Sequence, residues 1–286
     1  PIYVYGNLCS LKDMTEFGSP EQQEQCFAEV MAGRPGFVLG FTEPGAGSDS
    51  SSLATTFKRR DGKVYLNGSK SFMTNACNSK YMLCVARDAD DDPNDKANRS
   101  KFSMWWVQLH DDEGNLMPGI TIDPLEKIGW NMGNTCEMSL NEVELEEKDL
   151  VGVEGQGFIQ AMVNFEVERV LACAQSLGAA ECVYEDAVRY ATQRIQFGKP
   201  IGNNQLIQEH ITEMYIMIEN MRSWVYGCAA KIDRGESVMV DSACAKLYCG
   251  RSAFEVCDKA LQIMGGIGYT KDSRVSRIWR DQRVYR

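Results

Sequence analysis

The sequence predicts an α+β fold in which an antiparallel β-domain is followed by a C-terminal helical bundle. Two observations carry that expectation. Residues 37–150 fall into short apolar runs separated by turn residues, whereas residues 151–286 carry apolar residues at three- and four-residue spacing with few breakers. The period changes at the glycine-rich stretch Gly152–Gly157, so the chain divides into residues 1–36, 37–150 and 151–286.

Taken in order, Pro20–Met31 reads as a helix with proline in its first turn, Ser19 as its cap, and Cys26, Phe27, Val30 and Met31 on one apolar side. Strands are expected over Ala54–Arg60 and Lys63–Asn67, joined by the two-residue turn Asp61-Gly62, which requires positive φ. Tyr81–Arg87, Phe102–Leu109, Ile120–Asp123 and Cys136–Leu145 continue the series, and the charged stretch Asp88–Lys101 with Pro93 reads as an exposed, partly mobile loop. Phe158–Gln196 then predicts one helix on the order of 60 Å long. Gly198, Pro200 and Gly202 end it, and further helices are expected over Gln205–Asp233 and Met239–Met264, the last stopped by Gly265-Gly266. Helices of that length suit a bundle and an oligomer.

Composition narrows the function. The 286 residues are 44% hydrophobic and 24% charged, ordinary values for a folded globular chain. A net charge of −10 without a Lys/Arg stripe argues against a nucleic-acid or anionic-membrane partner. Eleven cysteines lack C-x-x-C spacing and only His110 and His210 could join them, so neither a zinc site nor a disulfide framework is expected. They read as reduced thiols, mostly in the core. Apolar runs such as Met104–Val107 are too short to span a bilayer and the start shows no basic-then-apolar leader pattern, which together suggest a cytoplasmic protein.

The chemistry-bearing stretch is Phe41–Ser50, FTEPGAGSDS. Pro44 fixes the backbone, and Gly45 and Gly47 are read as positions of positive φ and close backbone approach, holding amides and hydroxyls against a flat or anionic ligand. Composition alone would leave it an ordinary loop. The wording T-E-P-G-A-G-S-D, however, is followed in order by YLNGSKSFMTN, LEKIGW, TCEMSLNEVEL, GVEGQGF, FEVERVL, QRIQFGKPIG and QIMGGIGYTKDSRVSRIWRDQRV. Across essentially the whole chain this series resembles the acyl-CoA dehydrogenase family, and the segments RRDGKVYLNGSK, VELEEKDL, QFGKPIGNNQLIQE and SRIWRDQRV are most similar to its crotonobetainyl-CoA reductases of carnitine metabolism.

The resemblance implies an acyl-CoA dehydrogenase-like fold, with residues 1–36 a remnant of an otherwise missing N-terminal helical domain and the chain a partial sequence of a longer protein. It implies FAD as cofactor and an acyl-CoA or enoyl-CoA as substrate. An electron-transfer flavoprotein is implied as redox partner, and a dimer of dimers as the assembly. Phe41, Thr42, Phe72 and Thr74 would line the flavin, with Ser48 between its phosphate and the thioester arm of the substrate. Arg194, Gln196 and Phe197 would reach a neighbouring subunit's FAD, and Gln205, Gln262, Gly265 and Gly266 its adenosine part. Glu168 would be the catalytic base, raised toward a useful pKa by burial, with Arg169 beside it toward the substrate. On pattern alone Phe72 and Thr74 are equally an ordinary strand with one buried aromatic, Arg194 a solvated helix-end charge and Glu168 a paired surface carboxylate. The family's K-x-G-x-R-x-S-x-T run is altered at Asn131 and Gly133. The implied activity is 2-enoyl-CoA reduction; an ordinary dehydrogenase of fatty or branched-chain acyl-CoA, or a catalytically idle flavin-binding scaffold subunit, are the alternatives.

Overall fold

The computed structural model describes residues 11–92, 95, 98 and 101–286; Pro93 and part of the charged loop it belongs to lie outside them. The chain forms two compact units. One takes the described residues up to Glu126 together with Asn131–Asn164, the other Lys127–Trp130 with Phe165–Arg286.

In the first unit, residues 11–17 are helical and helix α1 follows at Pro20–Met31. Ser19 closes a capping box with Gln22, each side chain bonding the other's backbone N–H, which satisfies donors that a helix start leaves orphaned. The apolar side differs from expectation at its end: Met31 is 86% exposed while Glu29 is buried. Glu29 accepts from Arg34 Nε and its neighbouring nitrogen, and that bonding holds its carboxyl below the ordinary carboxylate range.

The sheet comprises β1 (Val38–Gly40), β2 (Thr56–Arg60), β3 (Lys63–Thr74), β4 (Tyr81–Asp88), β5 (Ser103–Gln108), β6 (Ile120–Pro124), β7 (Thr135–Leu145) and β8 (Leu150–Val151). Its order is β6-β7-β3-β2-β4-β5-β8, with β1 beside β4. Most pairs are antiparallel, but β1 and β2 both run parallel to β4, an arrangement set by pairings between segments distant in sequence. Asp61 and Gly62 both take positive φ, so the β2–β3 turn matches the right-handed twist of its strands.

Both faces of β4 are covered, as its period shows. Met82, Cys84 and Ala86 join a core with Phe57, Leu66, Trp105 and Val107, while Tyr81, Leu83 and Val85 join another with Phe37, Met104 and Trp106. Trp105 packs against Phe57 at 4.9 Å and Trp106 stacks on Tyr81 at 4.8 Å between ring centres.

Helix α2 (Gly157–Gln193) begins in the first unit and continues in the second, which also contains α3 (Gln205–Asp233), α4 (Met239–Met264) and α5 (Arg274–Gln282). Val170, Leu177, Val183, Met214, Ile218, Val225, Ala253 and Val256 form its core. A hairpin of β9 (Ile195–Gln196) and β10 (Lys199–Pro200) separates α2 from α3. Segment 127–130 docks on α5: Trp130 donates its backbone N–H to Asp281 Oδ1 and its indole N–H to the Asp281 carbonyl. Gly129 is required there, because a Cβ would lie 2.7 Å from the Arg280 carbonyl. No disulfide occurs among the described cysteines, and Cys26, Cys84, Cys136, Cys173, Cys228, Cys249 and Cys257 are buried. Burial drives the Cys26 thiol up to about 12 and Cys84 to about 11, values of inert core thiols.

Candidate functional site

In the first unit the loop after β1 is organised by a buried ion pair. Lys70 on β3 is fully buried, and Glu43, the acid of T-E-P, is 6% exposed. Lys70 Nζ donates to Glu43 Oε1 at 2.7 Å and to the Val85 carbonyl at 2.7 Å, with a longer bond of 3.4 Å to the Phe41 carbonyl. Glu43 in turn accepts the backbone N–H groups of Ala54, at 2.5 Å, and Thr55, at 3.0 Å. Burial would push the Glu43 carboxyl up, but the Lys70 charge and the hydrogen bonds from Lys70, Thr55 and the Ala54 backbone together hold it below its ordinary value. The pair therefore fastens both ends of the loop that carries Ser48 to the strand that carries Phe72.

Sequence reasoning passed over this pair. A signal existed: Lys70 falls on the inward phase of β3 set by Val64 and Leu66, and a buried lysine demands a buried acid. The loop is further fixed by Arg87, which donates to the carbonyls of Leu53 and Ser51, and by Asp49, which accepts from Ser51 and Ser52 hydroxyls. Gly45 and Gly47 correct the expectation made for them. Neither has positive φ, and a Cβ at either would meet no atom within 4 Å. Their lack of side chains clears the surface beside Ser48 instead of permitting a strained turn.

Phe72 projects from a bulge, and Thr74 follows it on the regularly paired end of β3. Between Lys70↔Met138 and Met73↔Cys136 strand β3 carries one more residue than β7, and Phe72 takes φ +57 there. The bulge turns the ring outward: Phe72 is 66% exposed, which rules out the plain strand with a buried aromatic. A left-handed conformation at a bulky residue costs roughly 1–2 kcal/mol, and strain of this kind gathers at ligand sites. On either side Ser71 and Asn75 are buried, yet Ser71 Oγ and Asn75 Oδ1 have no protein partner. The Ser71 N–H donates to the Thr42 carbonyl at 2.8 Å, which brings Thr42 alongside this segment. Phe41, half-buried, packs on Phe158 at 6.3 Å. Phe41, Thr42, Phe72 and Thr74 are thus assembled on connected backbone, with Ser48 exposed on the tethered loop. An outward aromatic face flanked by unsatisfied polar atoms fits a flat ring with polar edges, as flavin has.

The second unit holds the remaining residues. Glu168 and Arg169 lie half-buried on α2. Glu166, two residues earlier, accepts from the Val238 N–H at 3.3 Å and the Ser237 hydroxyl at 3.4 Å, capping α4. Phe197 is 97% exposed at the tip of the β9–β10 hairpin, where Phe197 and Gly198 both have positive φ. Arg194, Gln196, Gln205, Gln262, Gly265 and Gly266 are exposed as well. A fully exposed phenylalanine beside an exposed arginine fits a ligand or partner supplied from outside the unit.

A groove of about 1040 Å³ in the first unit, lined by Ser19, Gln25, Trp106, Glu142 and Asp149 among others, contains none of the sequence-predicted residues. Among the described residues no group of three or more His, Cys, Asp and Glu could hold a metal ion, and no helix is long and apolar enough to cross a membrane.

Residues 38–143 match the family described as acyl-CoA dehydrogenase, middle domain, and residues 155–286 match acyl-CoA dehydrogenase, C-terminal domain. Probable acyl-CoA dehydrogenase YdiO of Escherichia coli strain K12 is 50% identical over 100% of this chain and 72% of its own length. The structure of butyryl-CoA dehydrogenase from Megasphaera elsdenii superposes with a TM-score of 0.89 at 32% identity, covering 99% of this chain and 72% of the other. A chain from the structure described as the electron transferring flavoprotein of Acidaminococcus fermentans, in work on flavin-based electron bifurcation, gives 0.89 at 31% identity over 99% of this chain and 72% of that one.

Proposed function

Given that the chain belongs to the acyl-CoA dehydrogenase family, and is thereby an FAD-dependent oxidoreductase, we propose that it acts on the CH–CH group of a CoA thioester in the direction of 2-enoyl-CoA reduction. The observation that carries the site assignment is the strained, outward Phe72 between two buried polar atoms without protein partners. Phe41, Thr42, Phe72 and Thr74 hold the flavin, and Ser48 lies toward its phosphate and the substrate. Bound FAD supplies hydride transfer at the β-carbon.

The chain's own residues handle the proton and the positioning. The α-proton of a thioester is weakly acidic, so a carboxylate must exchange it within hydrogen-bond reach; Glu168 takes that role, and Arg169 contacts the substrate. Glu166 of FEVER is committed to the start of α4. Arg194, Gln196 and Phe197 extend to a neighbouring subunit's FAD, with Gln205, Gln262, Gly265 and Gly266 toward its adenosine. A dimer of dimers would cover the exposed Leu206, Tyr215, Ile216, Tyr226 and Leu247 of α3 and α4. An electron-transfer flavoprotein is the redox partner, and the acyl end is crotonobetaine-like, after the sequence segments most similar to the crotonobetainyl-CoA reductases.

Oxidation of saturated acyl-CoA is the second reading. The dehydrogenase names of the compared proteins favour it, and both directions share one transition state. Assays of the intact protein with reduced electron-transfer flavoprotein and a panel of enoyl-CoAs decide between them: enoyl reduction supports the proposal, and fast oxidation of saturated acyl-CoAs without enoyl reduction overturns it.

A further inference from the structure

Beside the strand that carries Phe72 and Thr74 lies a pair of thiols that the redox chemistry above does not use. Cys77 sits on the short helical turn Ala76–Asn78, and Cys136 on β7, paired with Met73 of β3. Their sulfurs are 3.2 Å apart. A covalent S–S bond of about 2.05 Å is thus within roughly 1.2 Å of sulfur movement. Asn134 sets the approach: its Oδ1 accepts from the Cys77 N–H at 3.1 Å and from the Cys136 thiol at 3.3 Å, and its carbonyl accepts the Asn75 N–H at 2.9 Å.

The two thiols differ in access. Cys136 is fully buried, but Cys77 is half-buried and lines an open cavity of about 380 Å³ with Arg34, Lys80 and His110. A small oxidant can therefore reach Cys77, while Cys136 waits behind it as the resolving thiol.

We propose that Cys77 and Cys136 form a peroxide-reactive dithiol, a modification site whose oxidised form is an intramolecular disulfide. The Cys77 thiolate attacks a peroxide, forming an S–O bond as the O–O bond breaks; the leaving oxygen takes a proton and departs as water or an alcohol. Cys136 then attacks the Cys77 sulfur, the S–S bond forms, the S–O bond breaks, and hydroxide leaves with a proton as water. Two thiols are oxidised and one peroxide is reduced. The disulfide fastens the turn after Thr74 to β7, and movement there is transmitted to the Phe72–Thr74 segment. That last consequence rests on the flavin reading above; the cross-link does not.

The test is peptide mapping of the intact, FAD-incubated protein after hydrogen peroxide treatment and alkylation without reductant. A cross-linked peptide pair joining Cys77 to Cys136, lost on dithiothreitol treatment and absent in Cys77→Ser, is expected. Turnover should fall at least ~10-fold on oxidation, within the ~10²-fold that a 1 Å misplacement can cost, and recover with dithiothreitol. Folded protein in which Cys77 is over-oxidised or stays alkylatable with no such cross-link overturns the proposal. A cross-link with unchanged turnover overturns its coupling to the site. A cross-link in a protein that binds no FAD in either redox state instead overturns the flavin reading and leaves the dithiol standing.

Discussion

Replacing Lys70 by methionine tests the architecture of the loop. The side chain keeps its length and apolar stem, but Glu43, 6% exposed, loses the Lys70 charge and retains two amide donors. Breaking a buried pair from one side destabilises by about 3–5 kcal/mol, because an uncompensated charge stays in the interior. For a unit of this size each kcal/mol moves the midpoint by about 2–4 °C, so the first unit should melt about 6–20 °C lower. Tryptophan fluorescence would follow it, since Trp105 and Trp106 lie in that unit's cores. The double variant Glu43→Gln with Lys70→Met removes both charges and should recover much of the loss. The sign with pH follows from the lowered Glu43 carboxyl: its stabilisation is present above the unfolded carboxylate pKa and lost as pH falls through the lower folded value, so the wild-type margin over Lys70→Met should shrink in acid. A Lys70→Met protein within ~0.5 kcal/mol of wild type at neutral pH would refute this reasoning.

Phe72→Gly relieves a left-handed backbone at an exposed position, so thermal stability should hold or rise; FAD affinity should nonetheless drop about 2- to 12-fold with loss of an aromatic contact worth ~0.5–1.5 kcal/mol, as read by flavin titration. Gly129→Ala should destabilise the second unit by about 1–3 kcal/mol in urea melts, because its Cβ meets the Arg280 backbone. Glu166→Ala should cost about 1 kcal/mol through the start of α4, whereas Glu166→Gln keeps an acceptor and should be nearly silent in both stability and turnover. Arg194→Ala with Phe197→Ala should leave melting unchanged and weaken FAD retention, measured by flavin content after gel filtration.

Local signals were readable wherever the chain carries its own punctuation. The capping residues bound Pro20–Met31, Arg234 and Gly235 follow a helix that runs from Gln205 to Asp233, and Gly265 stops Met239–Met264, so these helices occupy the residues their patterns indicate. The hairpin at Asp61-Gly62 is legible for the same reason. Pairing between distant segments is not: the parallel contacts of β1 and β2 with β4 and the Glu43–Lys70 pair join residues far apart in sequence. Helix α5, RVSRIWRDQ, offers too few apolar positions to show a period. The residues proposed to line the flavin were reachable only through motif wording, because the bulge that exposes Phe72 depends on a register shift against β7. No propensity of Phe, Met or Thr announces it.

Single-turnover reaction of FAD-loaded Glu168→Gln protein with its CoA thioester, followed at the visible flavin band, asks whether the proposed Glu168 carboxylate moves the substrate proton. Glutamine keeps shape and hydrogen bonding but cannot exchange a proton. Flavin content should match wild type while the rate falls by ~10²- to 10⁴-fold, the loss typical of a general base. A near wild-type rate with FAD bound would contradict the assignment and place the base on another residue.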